Sequence, residues 1–173
     1  MKRTLIILFA LASLTVNAQE MPRVESNHSI SANIWGLAYA YEQALGWQFS
    51  IIGRIGFEPM VTYSWIDNYL EETHIEYHSR PAISLETRCY TSIIDRALLG
   101  RNIMKNSSDF VSLKATAADY LREGDTYFFK FTASYGIRRV YNHFFIEPTV
   151  GMSYFTWDND TYPDLQFRFG FVF

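Results

Sequence analysis

Apolar and polar residues alternate with period two along almost the whole chain, and that pattern leaves few folds open. The clearest run sets Trp47, Phe49, Ile51, Gly53, Ile55 and Phe57 against Gln48, Ser50, Ile52, Arg54, Gly56 and Glu58. A second sets Tyr127, Phe129, Phe131, Ala133, Tyr135 and Ile137 against Phe128, Lys130, Thr132, Ser134, Gly136 and Arg138. The chain closes on Leu165, Phe167, Phe169, Phe171 and Phe173 against Gln166, Arg168, Gly170 and Val172. Successive side chains of a strand point to opposite faces, so each run is a strand with one greasy face. Eight runs can be read, at 29–43, 47–58, 60–67, 78–91, 109–120, 126–138, 143–155 and 164–173. Helical periodicity competes only within 92–107, where Ile94, Ala97 and Leu98 precede Gly100, a single helical turn with a glycine stop. The class is all-β.

Alternation shows that two faces differ but not which one is inside. A sandwich, a soluble barrel with an apolar interior and a membrane barrel with an apolar exterior all satisfy it. Strand length separates them, because sandwich strands average about six residues and a tilted membrane strand needs about 9–11. Most of these runs are of the longer kind. Their polar faces carry charges of both signs in mid-strand: Arg54, Arg80, Glu86, Arg88, Lys114, Lys130, Arg138, Glu147 and Arg168. Eight strands enclose an interior just wide enough for side chains to fill, where such charges would pair as a network. The aromatic content is 17%, high enough to suggest an interface to cover. Trp47, Trp65, Tyr127 and Tyr154 read as one girdle near strand ends, and Phe57, Tyr90, Phe144 and Phe173 as the other. The fold expected is an eight-stranded antiparallel up-and-down transmembrane β-barrel.

The start of the chain reads as an address. Lys2 and Arg3 precede the apolar run Leu5–Leu14, and Val16-Asn17-Ala18 supplies the small residues a signal peptidase reads. Residues 1–18 are therefore expected to be a signal peptide cleaved after Ala18 on the Sec route, 19–28 a periplasmic extension, and 29–173 the barrel. The run is too short to span a bilayer as a helix. One cysteine, Cys89, allows neither an internal disulfide nor a structural zinc site, and a net charge of −3 argues against a nucleic-acid partner. Strand order puts outer loops at 44–46, 68–77, 121–125 and 156–163, and inner connections at Pro59, 92–108 and 139–142. The long inner connection 92–108 breaks the rule of short periplasmic turns and is read as a solvated connector. Pro148 in mid-strand implies a bulge.

The final strand resembles that of outer-membrane barrel proteins, with Phe173 last and Phe171, Phe169, Phe167 and Leu165 alternating before it. Gln166 matches that family's polar position, while Arg168 stands where its glycine is usual and Gly170 follows. Residues 81–114 are similar to small outer-membrane barrels in which a periplasmic segment joins two middle strands. Over 29–173 the chain resembles small barrels of the OmpA/OmpX kind. The resemblance implies an outer-membrane location in a Gram-negative bacterium and a last strand (Gln166, Phe169, Phe171, Phe173) read by the barrel-assembly machinery. Periplasmic chaperones, lipopolysaccharide and membrane lipids are the other implied partners, with the chain a monomer. It implies no catalytic residues.

Candidate sites are few. Glu72, His74, Glu76 and His78 recur by two and could hold a divalent ion, but one strand seldom completes a coordination shell, so a polar loop is preferred. Asp158-Asn159-Asp160 lacks the glycine and final Glu of a calcium loop and reads as a turn. Hydrolysis of a lipid acyl ester would need a Ser/His pair on the outward face. Ser79 has the right parity, but His78 points the other way, and His28 and His143 fall elsewhere. The expectation is a non-enzymatic barrel without cofactor or metal, with a structural or surface-interaction role in its outer loops. A lipid A-modifying enzyme and a soluble lipocalin-like carrier are the alternatives. The carrier would turn Phe129, Phe131, Phe167 and Phe169 inward.

Overall fold

The computed structural model describes residues 22–33, 36–64, 74–122, 125–156 and 159–173, with side chains defined except at 58–64, 74–78, 119–122 and 125–128. Among the described residues nine strands form: β1 (Asn27–Asn33), β2 (Gly36–Ala44), β3 (Phe49–Ser64), β4 (His74–Tyr90), β5 (Asp109–Arg122), β6 (Asp125–Ile137), β7 (Arg139–Tyr141), β8 (Phe144–Phe155) and β9 (Asp160–Val172). Each pairs antiparallel with its neighbour in sequence, and β6 and β7 together make one stave, since both pair with β8. β9 returns to β1 through Ser29–Val172 to Ala32–Phe169, and the backbones of His28 and Phe173 exchange hydrogen bonds below them. The result is a closed eight-stranded antiparallel up-and-down barrel. Among the described residues no helix is long and apolar enough to cross a membrane.

The number of staves matches expectation, but two of the assigned boundaries do not. The run 29–43 is a hairpin, β1 and β2, and the runs 47–58 and 60–67 are one strand, β3, paired with β4 from Phe49 to Ser64. Connection 45–48 therefore lies at the end carrying Asn27 and Phe173, the terminal end, and not among the outer loops. Connections 34–35, 65–73, 123–124 and 156–159 share the far end. Pro59 is no connection but a residue of β3 opposite Ser79. The girdles change accordingly. Trp47 joins Phe144 and Phe173 at the terminal end, Phe57 rises toward the far end, and Tyr90 is buried inside the barrel. Trp65 lies outside the described residues.

A proline accounts for the second of these errors, and one rule covers the other prolines in the barrel. In a ladder, alternate residues direct N–H and C=O to one neighbour, and proline has no N–H to give. Leu45 donates to Phe49, so odd residues of β3 face β2; Pro59 points where β2 has ended. Tyr90 donates to Gln48, so Pro81 faces β5, which pairs with β4 only from Ala82 onward. Phe173 donates to His28, so Pro163 faces β1 well above its last rung with β9. Pro148 faces the gap between β6 and β7. The expected bulge there is absent: Gly136 stays opposite Thr149 and Arg139 opposite Ile146, so no residue is inserted and the ladder merely loses a rung.

The two faces have opposite chemistry. Outward stand Leu37, Ile55, Ile83, Leu85, Leu113, Phe129, Phe131, Val150, Phe167, Phe169 and Phe171, all exposed. Inward stand Glu42, Ser50, Ser84, Glu86, Arg88, Ser112, Lys114, Thr116, Lys130, Thr132, Arg138, Glu147, Thr149 and Arg168, all buried. The barrel is inside out relative to a water-soluble protein.

Candidate functional site

The polar interior is the site with the most chemistry, and it is built around Arg88. That guanidinium donates from Nε to Glu86 at 2.7 Å and from both terminal nitrogens to Glu147, each at 2.8 Å. Its carbon lies 3.9 Å from the centre of the Phe110 ring. Phe110 fits because Gly136 lies under it, where any Cβ would collide with the ring. Glu86 also pairs with Arg54 at 3.0 Å, and Arg168 sits 3.2 Å from Glu147. Arg138 links Glu147 at 3.7 Å to Glu42 at 3.3 Å. Glu42 accepts hydrogen bonds from the Tyr90 and Ser50 hydroxyls, each at 2.6 Å, and from Asn27 at 3.2 Å. One network thus ties β1, β2, β3, β4, β8, β9 and the β6–β7 junction across the barrel axis.

Above it, Lys114 donates to Gln166 at 3.3 Å, which also accepts from Arg168 at 3.0 Å. Lys130 lies 3.7 Å from Asp164, whose carboxylate accepts from Ser153. The space bounded by Lys114, Thr132, Gln166 and Arg168 leaves no room for a water molecule. Eight of the nine expected interior charges are therefore inward and buried or nearly so. Arg80, half-buried beside the start of the far-end β3–β4 extension, is not joined to the described network. Glu42, Tyr90 and Asp164 were missed. Glu42 was hidden because reading 29–43 as one strand scrambles its parity, and Asp164 because it stood at a strand edge.

The connection 91–108 is not a solvated link. It carries helix α1 (Ile93–Leu98) and a 3-10 turn at Met104–Asn106, and it caps the terminal end. Ile93 is wholly buried against Tyr90, Phe110 and Val24, forming an apolar floor beneath the ionic layer. The helix stops as expected: Gly100 takes φ +64°, Gly100 donates to Ala97 and Arg101 to Arg96, the Schellman arrangement. Asn106 clasps the main chain of Glu25 through both side-chain atoms, at 2.7 and 2.8 Å. Lys105 donates to the carbonyl of Val172 at 2.8 Å, and Asn102 to that of Val140. Buried polar side chains at Asn106, Ser107 and Ser108 were the available signal: an N-S-S run serving as glue.

The other candidates divide. Phe169, Phe171 and Phe173 stand outward on the last strand, while Gln166 turns inward to Lys114 and Arg168. Glu72 lies outside the described residues. His74, Glu76 and His78 fall on β4 opposite Ser64, Thr62 and Met60, and their side chains lie outside the described set. Among the described residues no group of three His, Cys, Asp or Glu could hold a metal. His28 pairs with the Tyr39 hydroxyl at 2.6 Å and His143 sits in the terminal-end turn, so neither approaches Ser79 near the far end. Cys89 is half-buried. No protein-family model, curated protein or solved structure matches this chain.

Proposed function

We propose that the chain is an integral outer-membrane barrel, exported after loss of residues 1–18, whose role is structural or surface-directed and not catalytic. One observation carries this reading: the outward face is apolar from Leu37 round to Phe171 while the charges are paired inside. In water the exposed Phe129, Phe131, Phe167 and Phe169 would form an apolar surface far beyond what a soluble monomer leaves open. In hydrocarbon they are the favoured surface, and closure leaves most backbone groups paired. Their outward direction also counts against a lipocalin-like carrier, whose cavity would need them inside. The aromatic ring of Trp47, Phe144 and Phe173 marks the periplasmic boundary of this arrangement, and lipids, lipopolysaccharide and the assembly machinery are its partners. Surface contacts belong to the far-end connections, chiefly 65–73 and 156–159. An epitope inserted after Asn159 is expected to bind antibody on intact cells, and one inserted at Gly100 only after permeabilisation. The reverse pattern would contradict the orientation.

A further inference from the structure

The cap that closes the terminal end finishes in a tip that its own packing does not use. Ile93 is buried in the floor, with Ile94 and Ile103 packed against it, but Leu98 is 79% exposed, Leu99 66% and Met104 61%. The tip sits at the rim of the wall. Asn102 donates to the carbonyl of Val140 on β7, and Lys105 to that of Val172 on β9. Tyr141, at the foot of β7, lies close enough to Arg96 to act on its charge, and is itself 65% exposed. The tip thus adjoins the foot of the outer apolar face, where Tyr141, Phe144 and Phe173 end it.

The same tip gathers cations. Burial and the like charges of Arg139 and Arg101 hold the Arg96 guanidinium below its ordinary range. Arg96 donates to the carbonyls of Asn102 and Ser107, at 3.0 and 2.9 Å, which satisfies its N–H groups without cancelling its charge. Asp109, the carboxylate acting on this group, is already engaged by Arg139 at 2.6 Å. Arg101 is exposed, and its side chain makes no hydrogen bond or ion pair among the described residues. Elsewhere on the cap and the chain before β1, Lys105 and Arg23 balance Glu25 and Asp95 in number. Three arginines and one aspartate therefore leave positive charge in excess at the tip.

We infer that the tip, Leu98-Leu99-Gly100-Arg101 with Met104, docks on the periplasmic leaflet and takes an anionic phospholipid there, its apolar side chains among the acyl chains and Arg101 on the phosphate. The inference rests on the membrane-spanning reading, which sets the foot of the outer face at that leaflet. Charge complementarity selects the occupant, since a guanidinium meets phosphate oxygens through two parallel N–H groups. Three apolar side chains are too few for a stable protein interface, which covers about 800 Å² on each partner. Shallow insertion of such side chains beside basic ones is instead how a short segment lies on a bilayer.

The test uses the full barrel in vesicles of equal phosphatidylglycerol and phosphatidylcholine, one or the other spin-labelled near the ester. A fluorophore sits on a single introduced cysteine in a Cys89→Ser background. Leu99→Cys reports the tip, Arg23→Cys the exposed chain before β1 and Leu113→Cys the outer face; Met104→Cys serves if Leu99→Cys does not fold. Quenching at 99 several-fold above that at 23, and stronger with labelled phosphatidylglycerol, is the expected result. Adding Arg101→Gln should then even the two lipids. Quenching at 99 no greater than at 23 would leave the tip in water, open to a protein or the cell wall, and overturn the docking. Equal quenching by the two lipids, or a preference that survives Arg101→Gln, would overturn the anionic site on Arg101. If position 113 is silent as well, the failure belongs to the membrane-spanning reading instead.

Discussion

Replacing Glu147 by Gln removes the carboxylate that receives both terminal nitrogens of Arg88 and approaches Arg138 and Arg168. Three buried guanidinium groups then share too little negative charge, and breaking one partner of a buried pair typically costs about 3–5 kcal/mol. Equilibrium unfolding in vesicles is expected to show a loss of that size for Glu147→Gln. Replacing both partners, Arg88→Met with Glu147→Leu, is expected to cost less than Glu147→Leu alone, because one fewer buried guanidinium is left short of a carboxylate. On the outer face an added charge is the liability. Phe131 is 49% exposed and sits in mid-strand on β6. Phe131→Arg is expected to lose roughly 2–4 kcal/mol in a bilayer, the range for a cation at mid-depth. A stability unchanged by that substitution would place Phe131 in water. Most of this residue-level pattern was legible, since parity alone assigned Arg54, Glu86, Arg88, Lys114, Lys130, Arg138, Glu147 and Arg168 to the interior. Parity fails only where strand boundaries fail, and that is how Glu42 escaped.

At the scale of elements, proline misled because it was read as a breaker. Pro59 reads as a connection between two strands, yet it sits inside β3, facing past the last described rung with β2. The same rule explains Pro81, Pro148 and Pro163, so prolines in this barrel mark missing rungs. Pro163→Val should accordingly fold with nearly unchanged stability, while Ala133→Pro, in the middle of β6 between two paired neighbours, should abolish the folded band on a cold gel. Normal folding of Ala133→Pro would contradict the pairing scheme. The β1–β2 turn was the other illegible boundary. Ile34 and Trp35 extend an apolar run straight through it, and only the flanking Asn33 and Gly36 carry turn chemistry. Segment 91–108 was legible in its helix and glycine stop but not as a cap. Its burial depends on Glu25, Val140 and Val172, contacts remote in sequence that no local pattern announces.

For the whole molecule, the fold follows from one inversion: charge inside, paired with charge, and an apolar face outside. The ionic layer around Arg88 and the apolar floor of Val24, Tyr90, Ile93 and Phe110 fill the section nearest the terminal end. An interior so packed supports a structural or surface role over conduction. Eight staves were countable from the sequence because strand errors before residue 65 cancelled in number, if not in direction. The measurement that tests the central claim most directly is fractionation of cells making the full chain, with gel mobility compared before and after boiling. The account expects the protein in the outer-membrane fraction, with a compact band that shifts on boiling. Recovery as a free periplasmic protein would contradict it, since a soluble barrel cannot hold this apolar face in water.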